Sequence, residues 1–272
     1  MHKQMRSALF VPATRPERFL KALGTGADMV IIDLEDAVER DNKDQARRHL
    51  TEFAQSNPDV SFLVRVNGAT TSWFESDLAA CGHFANIVGI LLPKAESAGQ
   101  IGRVFAAGKP VFPIIESAKG VLALDSIAAS RGVDRLSFGS LDLMLDLGMT
   151  PDTAGAELLL NEVRCRILLH GKACGLAAPL DGVYPNFVDQ EGLAGIARQV
   201  CDMGFGGMLC IHPAQVSTIH KAFAPASADL EWARRVLQIA GATHSTAFKM
   251  DGKMVDVPVI ERARRIVEKS DL

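Results

Sequence analysis

Val111-Phe112-Pro113-Ile114-Ile115-Glu116 is an apolar, β-rich run that stops at a carboxylate. A helical stretch from about Gly120 to Ser130 follows. Leu136-Ser137-Phe138 then leads into Gly139-Ser140-Leu141-Asp142, which ends on a second carboxylate. Two strands joined by a helix run parallel, so acids at their ends can face one another across a barrel mouth. Hard cations such as Mg²⁺ take oxygen ligands and commonly use one or two protein carboxylates, with water and substrate completing the shell. Glu116 and Asp142 are therefore candidate metal ligands. Taken singly, either would serve equally as a helix N-cap or a surface acid.

The same unit recurs on both sides of this stretch. Upstream lie Ser7–Val11, Met29–Asp33, Phe62–Asn67 and Val88–Lys94; downstream lie Ala177–Asp181 and Gly207–His212. Met29–Asp33 is nearly all apolar, as expected of a strand buried on both faces. Helical patterns fall between the strands: Pro16–Leu23, Asp44–Ala54 with Ala46, Leu50 and Phe53 on one face, and Thr153–Lys172 with Leu159, Val163 and Ile167 recurring every fourth residue. Leu193, Ile196, Ala197 and Val200 give the next helix its apolar stripe.

About eight strand–helix units without a long linker predict an α/β fold, a (β/α)₈ TIM barrel. Glu35, Arg65, Lys94, Glu116, Asp142, Asp181 and His212 all lie at or near strand C-termini, the rim that builds active sites in this fold. A doubly wound open sheet would normally carry a glycine-rich phosphate loop after an early strand. Here that turn reads Pro12-Ala13-Thr14-Arg15-Pro16. The barrel is expected over residues 1–223, with a C-terminal helix and a lid or oligomerisation arm over 224–272.

The 272 residues suit one barrel, and the net charge of −3 is small. No basic, aromatic-interleaved patch suggests nucleic acid, and no apolar run is long enough to span a bilayer. The N-terminus lacks the pattern of a signal peptide. Five cysteines without C-x-x-C spacing are expected as reduced, mostly buried thiols of a cytoplasmic protein.

Several rim residues have a chemistry of their own. The Arg65 guanidinium suits a planar carboxylate, or else a structural ion pair with the acids of the second strand. Glu35 and Asp36 are placed to hold metal-bound waters behind the ligands, to cap a helix or to pair with Arg65. Arg15, Arg18 and Lys21 form a basic group after the first strand. His212 and Asp181 carry either structural or chemical roles. Asp256 lies in Met254-Val255-Asp256-Val257-Pro258, where apolar neighbours would bury it and Pro258 starts a helix.

Ser7-Ala8-Leu9-Phe10-Val11-Pro12 with Arg15-Pro16-Glu17-Arg18 resembles the opening of the citrate lyase β-subunit-like proteins, members of the HpcH/HpaI aldolase and malyl-CoA lyase superfamily. The resemblance continues through Asp33–Val38, Val64–Asn67, Leu92–Lys94, Ile115–Ala118, Phe138–Asp142, Asp181–Tyr184, Ile211–Gln215 and Gly252–Pro258. Ala13 departs from the common Gly, and Ser140-Leu141 from the common small residue and Glu.

The resemblance implies a lyase with Mg²⁺, or Mn²⁺, on Glu116 and Asp142. It would cleave or form a 3-hydroxyacyl-CoA thioester such as citryl-, malyl- or citramalyl-CoA, giving acetyl-CoA and a keto acid. It further implies Arg65 on the substrate carboxylate, Arg15, Arg18 and Lys21 on CoA phosphates, and Asp256 of an adjacent subunit as a proton carrier in a homotrimer or hexamer. The alternatives are a metal-dependent pyruvate-type aldolase without CoA, and a β subunit active only within a citrate lyase complex.

Overall fold

The computed structural model describes residues 5–243 and 246–270. The chain divides into two compact units, the first ending at Ala222 and the second beginning at Phe223.

The first unit is a closed barrel of eight parallel strands in sequential order. These are β1 Ser7–Pro12, β2 Met29–Asp33, β3 Phe62–Arg65, β4 Ile87–Leu92, β5 Val111–Ile115, β6 Ser137–Phe138, β7 Leu180–Asp181 and β8 Gly207–Cys210. Pairing of Ser7 with Met208 through Leu9 with Cys210 closes the ring. The helices around it are α1 Phe19–Leu23, α2 Lys43–Ser56, α3 Phe74–Gly82, α4 Ala98–Ala106, α5 Ala118–Leu122, α6 Leu124–Ala128, α7 Ser140–Asp146, α8 Ala154–Ala173, α9 Gln190–Met203 and α10 Ala214–Phe223. Side-chain oxygens of Ser97, Ser117, Thr153 and Asp189 cap α4, α5, α8 and α9, each satisfying an N–H that the helix leaves unpaired.

Side chains alternate across each strand, and this parity positions the site. Ala8, Ile31, Leu63, Leu91, Phe112, Ile114, Leu180 and Leu209 pack together inside the barrel. Two residues on from several of them come Phe10, Asp33, Arg65, Glu116 and Ile211. The inward row thus gains its charged members, Asp33, Arg65 and Glu116, where it reaches the C-terminal mouth.

Several details depart from the sequence reading. The helix expected over Gly120–Ser130 is two short ones, α5 and α6, meeting at Ala123. The buried face of α8 is Ala156, Val163, Arg164 and Ile167; Leu159 is 38% exposed and turns away. Cys81 and Cys210 are buried, but Cys165 and Cys174 are exposed. No helix among the described residues is long and apolar enough to cross a membrane.

The second unit has a core of its own. It contains α11 Ser227–Thr243, a hairpin of β9 Phe248–Met250 and β10 Lys253–Val255, and α12 Val257–Ser270. Ala233, Val236, Met250, Val255, Ile260 and Ala263 form its buried centre. Asp251 at φ 48° and Gly252 at φ 77° turn the chain, the left-handed pair that a tight two-residue turn demands.

Candidate active site

Arg65 ends β3 with its guanidinium forked onto a buried acid. Nε donates to Asp33 Oδ1 at 2.7 Å and Nη2 to Asp33 Oδ2 at 2.8 Å. Nη1 donates to Asp36 Oδ2 at 3.1 Å and lies 3.1 Å from Glu35 Oε2. The guanidinium also sits 4.7 Å above the Phe10 ring. Burial pushes the Asp33 carboxyl up, but the charge and hydrogen bonds of Arg65 outweigh it and hold Asp33 below the usual carboxylate range. The ion pair with β2 acids is thus formed, and one N–H on each Nη remains for a ligand.

Glu116 follows β5 and Asp142 lies in the first turn of α7. Glu116 is buried, and its Oε1 accepts the Lys94 backbone N–H at 2.7 Å. That N–H is aimed by an unusual backbone: Lys94 has φ 47°, in the left-handed region. Non-glycine residues held there cost energy and cluster at functional sites. The Lys94 ammonium donates to Glu35 Oε1 at 3.1 Å and stands 3.9 Å from Asp142 Oδ1. One lysine therefore links Glu35, Glu116 and Asp142.

The site is short of positive charge. Glu35 Oε2 is buried and takes no hydrogen bond despite its nearness to Arg65. Burial pushes Glu35 up to about 7, with Arg65 and Lys94 opposing. Burial, then the charges of Glu35 and Asp142, push Glu116 up to about 8. A hard divalent cation would relieve this strain. Among the described residues no group of three or more His, Cys, Asp or Glu is suited to a metal. Such an ion would rest on Glu116 and Asp142, with water and substrate filling the other positions.

Asp33, Asp36, Arg65, Glu116, Ser140 and Asp142 line a mouth cavity of about 380 Å³, within the range of small-molecule sites. Gly139 makes room for it. A Cβ there would lie 2.3 Å from Glu116 Oε2 and 2.4 Å from Glu116 Cβ. Gly139→Ala is expected to swing Glu116 aside and to cost about 1–3 kcal/mol as overpacking. A thermal melt indistinguishable from wild type would contradict that close fit.

Other candidate residues fall elsewhere. Asp181 follows the inward Leu180 and so points outward, where Arg164 of α8 clamps it at 3.0 and 3.2 Å. His212 is exposed, accepts the Ala214 N–H at 3.2 Å and stacks on Phe187. Neither lines the cavity. Arg15, Arg18 and Lys21 are exposed on the segment after β1, with Glu17 2.7 Å from Arg15. Asp256, in the second unit, is exposed rather than buried by its apolar neighbours. Its Oδ1 accepts the Val259 N–H at 3.3 Å, the cap of α12.

Sequence reasoning gave Lys43 no role. Its buried ammonium donates to the Leu34 and Glu35 carbonyls at 2.7 Å each, pinning the loop that carries Glu35. A lysine opening the helix after an acidic cluster was the available signal.

A model of the HpcH/HpaI aldolase/citrate lyase family matches residues 6–213. The citrate lyase subunit beta-like protein of Mycobacterium tuberculosis is 38% identical over 266 residues, covering 96% of this chain and 94% of the relative. A (3S)-malyl-CoA thioesterase of Cereibacter sphaeroides is 36% identical over 277 residues, covering 98% and 94%. In structure, CitE of Mycobacterium tuberculosis in complex with magnesium, acetoacetate and coenzyme A superposes with a TM-score of 0.88 at 34% identity, covering all of both chains.

Proposed function

The chain belongs to the HpcH/HpaI aldolase/citrate lyase family, and from that premise we propose a Mg²⁺-dependent carbon–carbon lyase. It cleaves, or forms, a 3-hydroxyacyl-CoA thioester, with acetyl-CoA and a 2-oxo acid on the other side of the reaction. The observation that carries this reading is the pair Glu116 and Asp142 at the mouth beside Arg65, with Lys94 the one ammonium shared among Glu35, Glu116 and Asp142. The M. tuberculosis structure that contains magnesium and coenzyme A supports it.

Glu116 and Asp142 would hold the ion, which when bound would polarise substrate oxygens. The two remaining Arg65 N–H groups bind the oxo-acid carboxylate. Asp33 and Asp36 fix the guanidinium so that these donors face the cavity. Glu35, tied to Lys94 and close to Glu116, would orient water or ligand there. Arg15, Arg18 and Lys21, exposed after β1, take the CoA phosphates. Asp256 carries the proton to and from the acetyl methyl group, delivered from another copy of the chain in a homotrimer or hexamer. The setting is cytoplasmic.

Hydrolysis is the second reading, because one relative is named a thioesterase. A Ser–His–Asp grouping does exist: Ser7 Oγ lies 2.7 Å from His220 Nε2, and Asp28 Oδ1 3.6 Å from the same nitrogen. A nucleophilic triad needs the acid on the other ring nitrogen. Ser7 is fully buried at the start of β1, away from the mouth. That grouping locks the barrel floor, so a hydrolytic reaction would also have to run at the mouth.

The test is the purified protein with citryl-, malyl- and citramalyl-CoA, in Mg²⁺ or in EDTA, with products separated by chromatography. Acetyl-CoA and an oxo acid are expected with Mg²⁺ only. Free CoA with intact hydroxy acid would give the hydrolytic reading, and turnover in EDTA would sink the metal assignment.

Metal binding should also register as a pH-dependent stability. Glu35 and Glu116 have folded pKa values raised to about 7 and about 8, above those of the unfolded chain. Their stability is full below the unfolded pKa and is lost as pH rises through the folded one. In EDTA the melting temperature should therefore decline between about pH 5.5 and 8. A bound cation removes that penalty, so the gain in Tm from Mg²⁺ should be small near pH 5.5 and largest near pH 8. A gain independent of pH would contradict the assignment of these carboxylates.

A further inference from the structure

The rim of the barrel mouth is chemically divided. From β2 to β5 it carries charge: Asp33, Asp36, Arg65 and Glu116 line the cavity, with Glu35 and Lys94 behind them. From β6 through β8 to β1 it is apolar apart from the Ser140 hydroxyl, presenting Leu141, Val183, Ile211 and Phe10, with Asp142 at the boundary. Leu141 and Ile211 are 40% and 43% exposed, although both are large aliphatic side chains at a polar site. Phe10 and Val183 are half-buried against the barrel interior. The polar groups that β7 and β8 supply are absent from the cavity wall, because Asp181 is clamped by Arg164 and His212 is stacked on Phe187.

The cations are also accounted for. Among the described residues, Arg65 is the one cation lining the cavity, and two of its nitrogens already donate to Asp33. The Lys94 ammonium is held by Glu35. One ligand carboxylate can thus be met by Arg65 and the ion. A second carboxylate would point at the apolar arc, where among the described residues no cation stands and Ser140 is the one polar side chain, and a buried charge without a counter-charge is strongly disfavoured.

We propose that the apolar arc is an alkyl subsite, so that the 2-oxo acid this protein handles is a monocarboxylate bearing a short hydrocarbon group rather than a dicarboxylate. Leu141, Ile211, Val183 and Phe10 are its specificity-determining residues. The inference rests on the reading that an ion at Glu116 and Asp142 chelates a 2-oxo acid, and it adds which oxo acid fits.

The test is a binding measurement that needs neither CoA nor turnover. The full chain with saturating Mg²⁺ is titrated calorimetrically with glyoxylate, pyruvate, 2-oxobutanoate and oxaloacetate. Affinity should rise on the order of four-fold for each added methyl or methylene from glyoxylate to 2-oxobutanoate. Oxaloacetate should bind at least about ten-fold more weakly than 2-oxobutanoate, because its second carboxylate must be desolvated. In Leu141→Asn and Ile211→Asn the ratio of 2-oxobutanoate to glyoxylate affinity should drop about four-fold or more. Oxaloacetate binding as tightly as 2-oxobutanoate, or an unchanged ratio in both variants, overturns the alkyl subsite and leaves the lyase reading standing. Failure of every 2-oxo acid to bind overturns both.

Discussion

Arg65→Ala is expected to lower folding stability by about 3–5 kcal/mol, the cost of removing one partner from a buried ion pair. Its kcat/KM is expected to drop by at least about a hundred-fold, as loss of a charged hydrogen-bonding partner would give. The stability term follows from Asp33, 1% exposed and held at 2.7 and 2.8 Å by the guanidinium. With Arg65 gone, among the described residues only the backbone N–H groups of Glu35 and Ala37 still donate to it. The pH dependence has a definite sign. Asp33 has a depressed folded pKa, so its contribution is present above the unfolded pKa and is lost as pH falls through the folded one. The stability gap between wild type and Arg65→Ala should therefore narrow below about pH 4. A second variant separates structure from chemistry. Arg65→Met combined with Asp33→Asn removes both charges and should recover most of the stability without recovering turnover. Near-normal kcat/KM in the double variant would leave Arg65 a purely structural role.

The barrel was legible because its strands are written as apolar runs ending in polar residues, and the core needs little more than that pattern. Met29–Asp33 matches β2 to the residue. The seventh strand, read as Ala177–Asp181, is only Leu180–Asp181, with Pro179 ahead of it, and it pairs with β6 through a single register position. What escaped was local. Helix α3 is short and mixes Ala with acidic residues, so its periodicity is faint, and α4, though amphipathic, is only nine residues long. Leu159 fits a four-residue repeat, yet the helix turns a face made of Ala156, Val163 and Arg164 inward, because Arg164 must reach Asp181.

The charged site was legible as a set of residue types but not as a set of directions. Position at a strand end nominated Asp181 and His212 as readily as Glu116. Parity distinguishes them: Ile114 faces in and so does Glu116, whereas Leu180 and Leu209 face in and therefore Asp181 and His212 do not. Applying the two-residue alternation to each strand end would have made that cut from sequence alone. Lys94 is different. Its left-handed backbone and its bonds to two carboxylates depend on how β4 meets β5, and no pattern around Pro93 announces them.

Asp256→Ala is expected to reduce turnover by at least about a hundred-fold, in the range that a positioned proton carrier contributes, while leaving Mg²⁺ binding intact. Within one chain this carboxylate only caps α12, and losing a cap costs about 1 kcal/mol. That is too little to unfold the second unit, whose core of Met250, Val255 and Ile260 is untouched. Its surroundings suggest a further partner. Asp256 is exposed, and Met254 and Val257 beside it are 71% and 50% exposed, an apolar flank around a carboxylate. Placed against another copy's mouth, that flank would exclude water from around the acid. Complementation provides the decisive measurement. Asp256→Ala and Glu116→Ala are each inactive alone under this proposal. Co-refolded, they should regain a fraction of wild-type activity, since some sites then combine an intact barrel with an intact arm from another chain. Asp256→Asn should keep the α12 cap, because the amide oxygen still accepts the Val259 N–H, and yet remain as inactive as Asp256→Ala. Mixed oligomers no more active than either parent, or an Asp256→Asn enzyme with normal turnover, would reduce Asp256 to its capping role.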